Sequence, residues 1–154
     1  MFDLHDLFDH ITDFGDHGTV VSTHDTIDGG HDSYSADGHL VGHAQPNIMG
    51  GDNFTNANGT SAGYSEHNIF GGENYYDHTG ANIAQTHENI YGGHDIQDGH
   101  GHVIGHTEPN IFHGENLYNE SGQMVASTQP NIFGGYDVHS LMDLSPQMIP
   151  DIVI

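Results

Sequence analysis

Residues 68–88 read NIFGGENYYDHTGANIAQTHE, and residues 89–109 read NIYGGHDIQDGHGHVIGHTEP. The two stretches align position for position over 21 residues. Outward from them the same unit begins at Asn47, Asn110 and Asn131, and once more at Thr26, with no insertion or deletion. An Ile follows each time, which gives a register of six: Ile27, Ile48, Ile69, Ile90, Ile111 and Ile132. One residue further on stands Gly-Gly, at Gly29-Gly30, Gly50-Gly51, Gly71-Gly72, Gly92-Gly93 and Gly134-Gly135, with His113-Gly114 as the variant. Self-similarity at a period of about 20–50 residues marks a repeat architecture. A fixed length follows where each unit packs on its neighbours and extra residues fit only in outward loops.

Two further apolar columns share the period. One is Phe54, Tyr75, Ile96, Leu117 and Val138, with Ser33 in the first unit; the other is Val41, Ala62, Ile83, Ile104 and Val125. Between them lie the turn glycines Gly38, Gly59, Gly80, Gly101 and Gly122, which suit positive φ. The columns are spaced 6, 8 and 7 residues apart, which fits a coil of three short strands per turn. The reading is therefore all-β: a β-solenoid, with identical residues stacked about 4.8 Å apart, or a stack of β-hairpins. In the coil the Asn column forms an amide ladder, and the Ile column faces inward with Ile90 deepest.

The hairpin form would pair Glu73–Asp77 with Ala81–Thr86 around His78-Thr79-Gly80. Tyr75-Tyr76-Asp77-His78-Thr79-Gly80 resembles the aromatic-turn-Gly hairpins of choline-binding and tyrosine-aspartate wall repeats. The chain has no Trp to build their aromatic cages, so the resemblance implies hairpins and carries no choline site.

The flanks differ from the array. In residues 1–16, Leu4, Leu7, Phe8, Ile11 and Phe14 fall at helical spacing, which predicts a short amphipathic helix capping the end of the stack. Residues 17–140 form the repeat array, and residues 141–154 are expected to be a C-terminal cap or tail. No basic stretch followed by an apolar run opens the chain, so no cleaved signal peptide is expected. The ending Pro150-Asp151-Ile152-Val153-Ile154 resembles the uncleaved tail of proteins exported by one-step type I secretion, which implies an extracellular or cell-surface location. The other reading is a cytoplasmic, acidic or phage-encoded interaction protein.

The chain of 154 residues holds 22 Asp and Glu, no Lys or Arg, 16 His and no Cys, for a formal charge of −22. Such a surface repels phosphates and anionic lipid headgroups, so nucleic acid and membrane insertion are excluded as partners. Divalent cations are expected instead, and disulfides and thiolate metal sites are ruled out. The charge also opposes compaction, so folding should be assisted by calcium or by protons.

In the coil, the residues after Gly-Gly and the Asn/Asp column beside them would stack into a stripe of oxygen ligands. Its carboxylates are Asp32, Asp52, Glu73, Asp95, Glu115 and Asp137. Carboxylates about 5 Å apart repel unless a cation bridges them, and Ca2+ accepts such oxygens with loose geometry. The stripe resembles the calcium-binding glycine-rich nonapeptide repeats of secreted toxins and proteases, although its period is 21. His100, His102 and His106 form a second candidate, a Zn2+ or Ni2+ site. Nothing points to catalysis, because an active site needs one asymmetric constellation and this chain repeats its polar residues. The function expected is a non-enzymatic extracellular structural or adhesive protein whose acidic edges bind divalent cations, with a dedicated His-based metal-binding module as the alternative. Unpaired strand edges at the coil ends are expected to drive end-to-end self-association.

Overall fold

A computed structural model of the protein describes residues 20–140. They fold into twelve strands: β1 (Val20–Asp25), β2 (His31–Ser35), β3 (Leu40–Pro46), β4 (Gly50–Asn56), β5 (Ser61–His67), β6 (Glu73–Asp77), β7 (Asn82–Glu88), β8 (His94–Asp98), β9 (Val103–Pro109), β10 (Glu115–Asn119), β11 (Met124–Pro130) and β12 (Tyr136–Ser140). No helix occurs among these residues, and both the expected capping helix at 1–16 and the tail at 141–154 lie outside them.

Every strand pairs antiparallel with its neighbours in sequence, and β12 returns to pair with β1 through Ser22 and Asp137. The result is a closed barrel. The all-β reading stands, but the three-sided coil does not. Its strands would stack parallel on their own copies, whereas here each repeat contributes two antiparallel strands and advances around a ring. The hairpin reading describes the local structure: β6 pairs with β7 through Asn74↔Gln85 and Tyr75↔Ala84 around Gly80, within a residue or two of the expected limits. Those hairpins close on themselves instead of forming an open stack.

The closing force is visible in the pairing. Register shifts interrupt the hairpins β2–β3, β4–β5, β6–β7, β8–β9 and β10–β11 at equivalent places, such as Tyr75/Tyr76 and Ile96/Gln97. A bulge adds right-handed twist and bends the strand. Repeated once per unit, it curls the sheet until its edges meet.

Alternation along the strands then sorts the side chains. Phe54, Tyr75, Ile96, Leu117 and Val138 are buried and by alternation share the inner face; Val41 and Val125 are buried as well. The column of Phe54, Tyr75, Ile96 and Leu117 thus forms the core, and Ala62, Ile83 and Ile104 of the other column are partly buried against it. From the odd-numbered strands come small inward residues, Thr23, Ala44, Ser65, Thr86, Thr107 and Thr128, also buried. The Ile column is the correction: Ile27, Ile48, Ile69, Ile90, Ile111 and Ile132 are 88–107% exposed. They sit at the tips of turns, not in strands.

The two ends of the barrel differ. At one end are the polar turns, three of them capped by a side chain at the end of the preceding strand (Asp77, Asp98 and Asn119) and two by Asp37 and Asn58 within the turn. Asn119 Oδ1 accepts from the N–H groups of Ser121 and Gln123, and Asp77 Oδ1 accepts from those of Thr79 and Ala81. The Asp77 carboxyl is held below its ordinary value first by the Thr79 hydroxyl, against desolvation, and then by the Ala81 and Thr79 N–H groups. Asp37 is lowered to about 2 by the Ser35 hydroxyl and then by His39. A lowered folded-state value means stability that is complete above the unfolded carboxylate range, about pH 4, and lost as pH falls through the folded value. Asp77→Asn keeps the acceptor that Asn119 uses, so the variant should unfold with a shallower loss of thermal midpoint between neutral and strongly acidic pH. Identical acid profiles for the two proteins would show that the cap does not couple protons to folding.

Candidate binding site: an apolar crown at one end of the barrel

The six Ile-bearing loops all follow odd-numbered strands, so all six lie at the same end of the barrel. The chain enters β1 and leaves β12 at the other end. Five of the six loops are built by their Asn; in the first, Thr26 Oγ1 accepts from Gly30 N–H at 3.2 Å. Asn68 Oδ1 accepts from Phe70 N–H at 2.9 Å and Gly72 N–H at 3.1 Å, while its amide donates to Asn74 Oδ1 at 3.3 Å and across to Thr86 O at 3.0 Å. Asn47, Asn89 and Asn110 repeat the pattern. Asn131 makes the same cross-link to Thr23 O at 2.9 Å and so joins the last repeat to the first. The column is therefore a set of clamps between neighbouring repeats, not a ladder of stacked amides. The Asn folds the backbone around its own side chain, and the Ile after it is left projecting from the apex.

A second set of bonds was not read from the sequence. The buried Thr86 hydroxyl accepts from Glu73 N–H at 2.9 Å, and Ser65, Thr107, Thr128 and Thr23 do the same for Asp52, His94, Glu115 and Tyr136. The signal was a hydroxyl recurring in register at all but Ala44, inside a segment whose Thr and Ser read as turn residues. These strands approach so closely that the second Gly of each pair has no room for a side chain: a Cβ on Gly72 would lie 2.1 Å from Thr86 O.

The first Gly has a different reason. Gly29, Gly50, Gly71, Gly92 and Gly134 have φ between 79° and 86°. His113 holds the same place at φ 67°. An L-residue there is strained by about 1–2 kcal/mol. His113→Gly is therefore expected to raise stability by about 1 kcal/mol, measured by chemical denaturation. A loss of stability would mean that the imidazole makes up for its backbone.

Beside each prong except Ile27 stands Met49, Phe70, Tyr91, Phe112 or Phe133, each 44–60% exposed. Some of these rings lean on the outer wall of the barrel: Phe70 on His87 at 4.4 Å, and Phe133 on His24 at 4.1 Å. The Ile side chains are left free above them. Among the loop residues the ionisable groups are Asp28, His113 and the phenol of Tyr91. Asp28 is lowered first by the Thr26 hydroxyl, against desolvation, and then by the Gly30 N–H. Charge lies just behind the loops, where His31 meets Asp25 at 2.8 Å and His67 approaches Glu73 at 3.6 Å.

The sequence-predicted ligands are dispersed. Asp52, Glu73 and Glu115 are buried at the starts of their strands and face inward. Asp32, Asp95 and Asp137 are one residue further along their strands, so they face outward. Asp32 meets His43 at 2.7 Å, and Asp95 and Asp137 accept from Asn89 and Asn131. Equivalent carboxylates in successive repeats are two strands apart, about 10 Å, so the continuous stripe spaced at about 5 Å is not formed. His100 and His102 sit in a polar turn and donate their backbone N–H groups to Asp98. His106 lies on the outer wall, stacked on Tyr118 at 4.9 Å. The three imidazoles are not gathered. Among the described residues no group of three or more His, Asp and Glu is arranged around a common point.

Comparison with known proteins adds the fold alone. No family pattern matches the chain, and no curated protein matches it. An X-ray structure of a protein from Arabidopsis thaliana is similar, with a TM-score of 0.59 at 12% identity over 79% of each chain.

Proposed function

We propose that the protein is a non-enzymatic structural or adhesive module of the extracellular space, which binds through the crown. The observation that carries this reading is the exposure of the six isoleucines, 88–107% each, on loops that clamps hold in fixed places. Burying one such side chain is worth about 1.5–3 kcal/mol. Six together hold roughly 9–18 kcal/mol of unused transfer free energy, as much as the whole stability of many domains, about 5–15 kcal/mol. An apolar patch of this kind marks an interaction surface. The equivalence of the repeats speaks against catalysis, since no one unit differs from the others in a way that would assemble an acid, a base and a nucleophile. The acidic composition, free of Lys, Arg and Cys, supports a place outside the cell.

Divalent cations belong to the same reading as counterions for the charge of −22. Calorimetric titration with Ca2+ and separately with Zn2+ tests that part; no heat with either ion removes it. The crown itself is tested by serine at positions 27, 48, 69, 90, 111 and 132. The variant should keep its thermal midpoint and lose retention on a phenyl-substituted matrix that holds the wild type. A wild-type protein that passes through unretained would sink the reading.

A further inference from the structure

We infer that the crown of one molecule seats on the crown of a second copy, forming a closed head-to-head dimer; this rests on the crown being a binding surface. The argument begins with spacing. Neighbouring prongs are two strands apart, so their tips stand about 10 Å from one another around the ring. A gap of that width between two Ile tips accepts one Ile side chain. The prongs recur once per repeat, so turning one crown by half a repeat against the other brings every tip over a gap at once. The crown is thus complementary to itself without further design.

Area agrees with this. Six nearly fully exposed isoleucines and five half-exposed neighbours present an apolar surface on the order of 1,000 Å² per copy, against the ~800 Å² per partner that a stable interface buries. The loops carry almost no charge, so few ionised groups are desolvated on contact. Among the described residues the opposite end is more polar: its turns hold Asp37, His78, His100 and Glu120, and its exposed apolar side chains, Leu40, Val103 and Met124, are 37–50% exposed against 88–107% for the isoleucines. Closure of the barrel pairs β1 with β12 and removes the open edges that would allow growth into fibrils. One sticky end and a two-fold axis give a complex that stops at two copies. The charge of −22 on each copy opposes the pairing, so added salt, which screens it, should strengthen association.

Sedimentation of the full chain over a concentration series, at low and high sodium chloride, tests the inference. The wild type should show a monomer–dimer equilibrium that shifts toward dimer in high salt. The triple variant Ile48→Ser, Ile90→Ser, Ile132→Ser should keep the thermal midpoint and dimerise at least roughly tenfold more weakly, because three of the six prongs on each copy are gone. A dimer untouched by the triple variant would place the contact elsewhere and overturn the proposal, as would assemblies that grow beyond two copies. The same proteins are then mixed with phosphatidylcholine vesicles and run over the phenyl matrix. A wild-type monomer that binds vesicles or matrix overturns the second copy as partner and leaves the crown a binding surface for lipid or another apolar partner. A wild-type monomer that binds neither overturns both.

Discussion

Gly72→Ala is expected to destabilise the barrel by about 3 kcal/mol, at the upper end of what overpacking a site costs. The added Cβ would lie 2.1 Å from Thr86 O and 2.5 Å from Thr86 Oγ1. Backbone cannot swing aside as the end of a side chain can. Thr86 O also accepts from Asn68, and Thr86 Oγ1 accepts from Glu73 N–H, so separating the strands breaks both bonds. Two comparisons make the result specific. Gly80→Ala meets nothing within 4 Å and should cost only the strain of its φ of 86°, about 1–2 kcal/mol. Gly93→Ala, where a Cβ would lie 2.2 Å from Thr107 O, should match Gly72→Ala. Urea unfolding of the three variants would measure the order; equal losses at positions 72 and 80 would mean that the strands separate freely.

The second large effect is in the core. Leu117 is fully buried, and Leu117→Ala is expected to cost about 2–5 kcal/mol from lost transfer energy and the cavity left behind. Ile111→Ala, six residues earlier, removes a side chain that is 88% exposed and should change stability by less than about 0.5 kcal/mol. The pair separates an inward column from an outward one within a single repeat. A loss at position 111 as large as that at 117 would return the Ile column to the core and remove the crown.

How much of this was legible in the sequence depends on which physical signal each feature leaves. Period, strand class and hairpins are local, and they are written in Gly80, Gly101 and their flanking alternation. The burial of Tyr75, Ile96 and Leu117 follows from an apolar residue in a strand at constant register. The same rule misplaced Ile90, because apolar identity does not distinguish a core position from a turn apex. The distinguishing sign was the company it keeps: an Asn before it and Gly-Gly just beyond, a segment that folds around an amide and leaves nothing over the Ile. The contiguity expected of the carboxylates is broken by alternation. Glu73 and Asn74 are adjacent in sequence and therefore lie on opposite sides of the wall. Closure was not legible, because it depends on twist summed over twelve strands, which a repeat period does not carry.

The seam between the last repeat and the first is made of the same bonds as four of the five other junctions, the exception being the one where Thr26 and Ala44 stand. Asn131 reaches Thr23 O as Asn68 reaches Thr86 O, and Tyr136 N–H finds Thr23 Oγ1 as Glu73 N–H finds Thr86 Oγ1. A rod of stacked units can gain or lose one unit by gene duplication or deletion and simply change its length. A ring cannot. Adding a seventh unit would increase its girth, since barrel diameter grows with strand number, and would change the packing of Phe54, Tyr75 and Leu117 inside. The number of units is consequently a fitted quantity, so lineages carrying this protein are expected to keep the count of six.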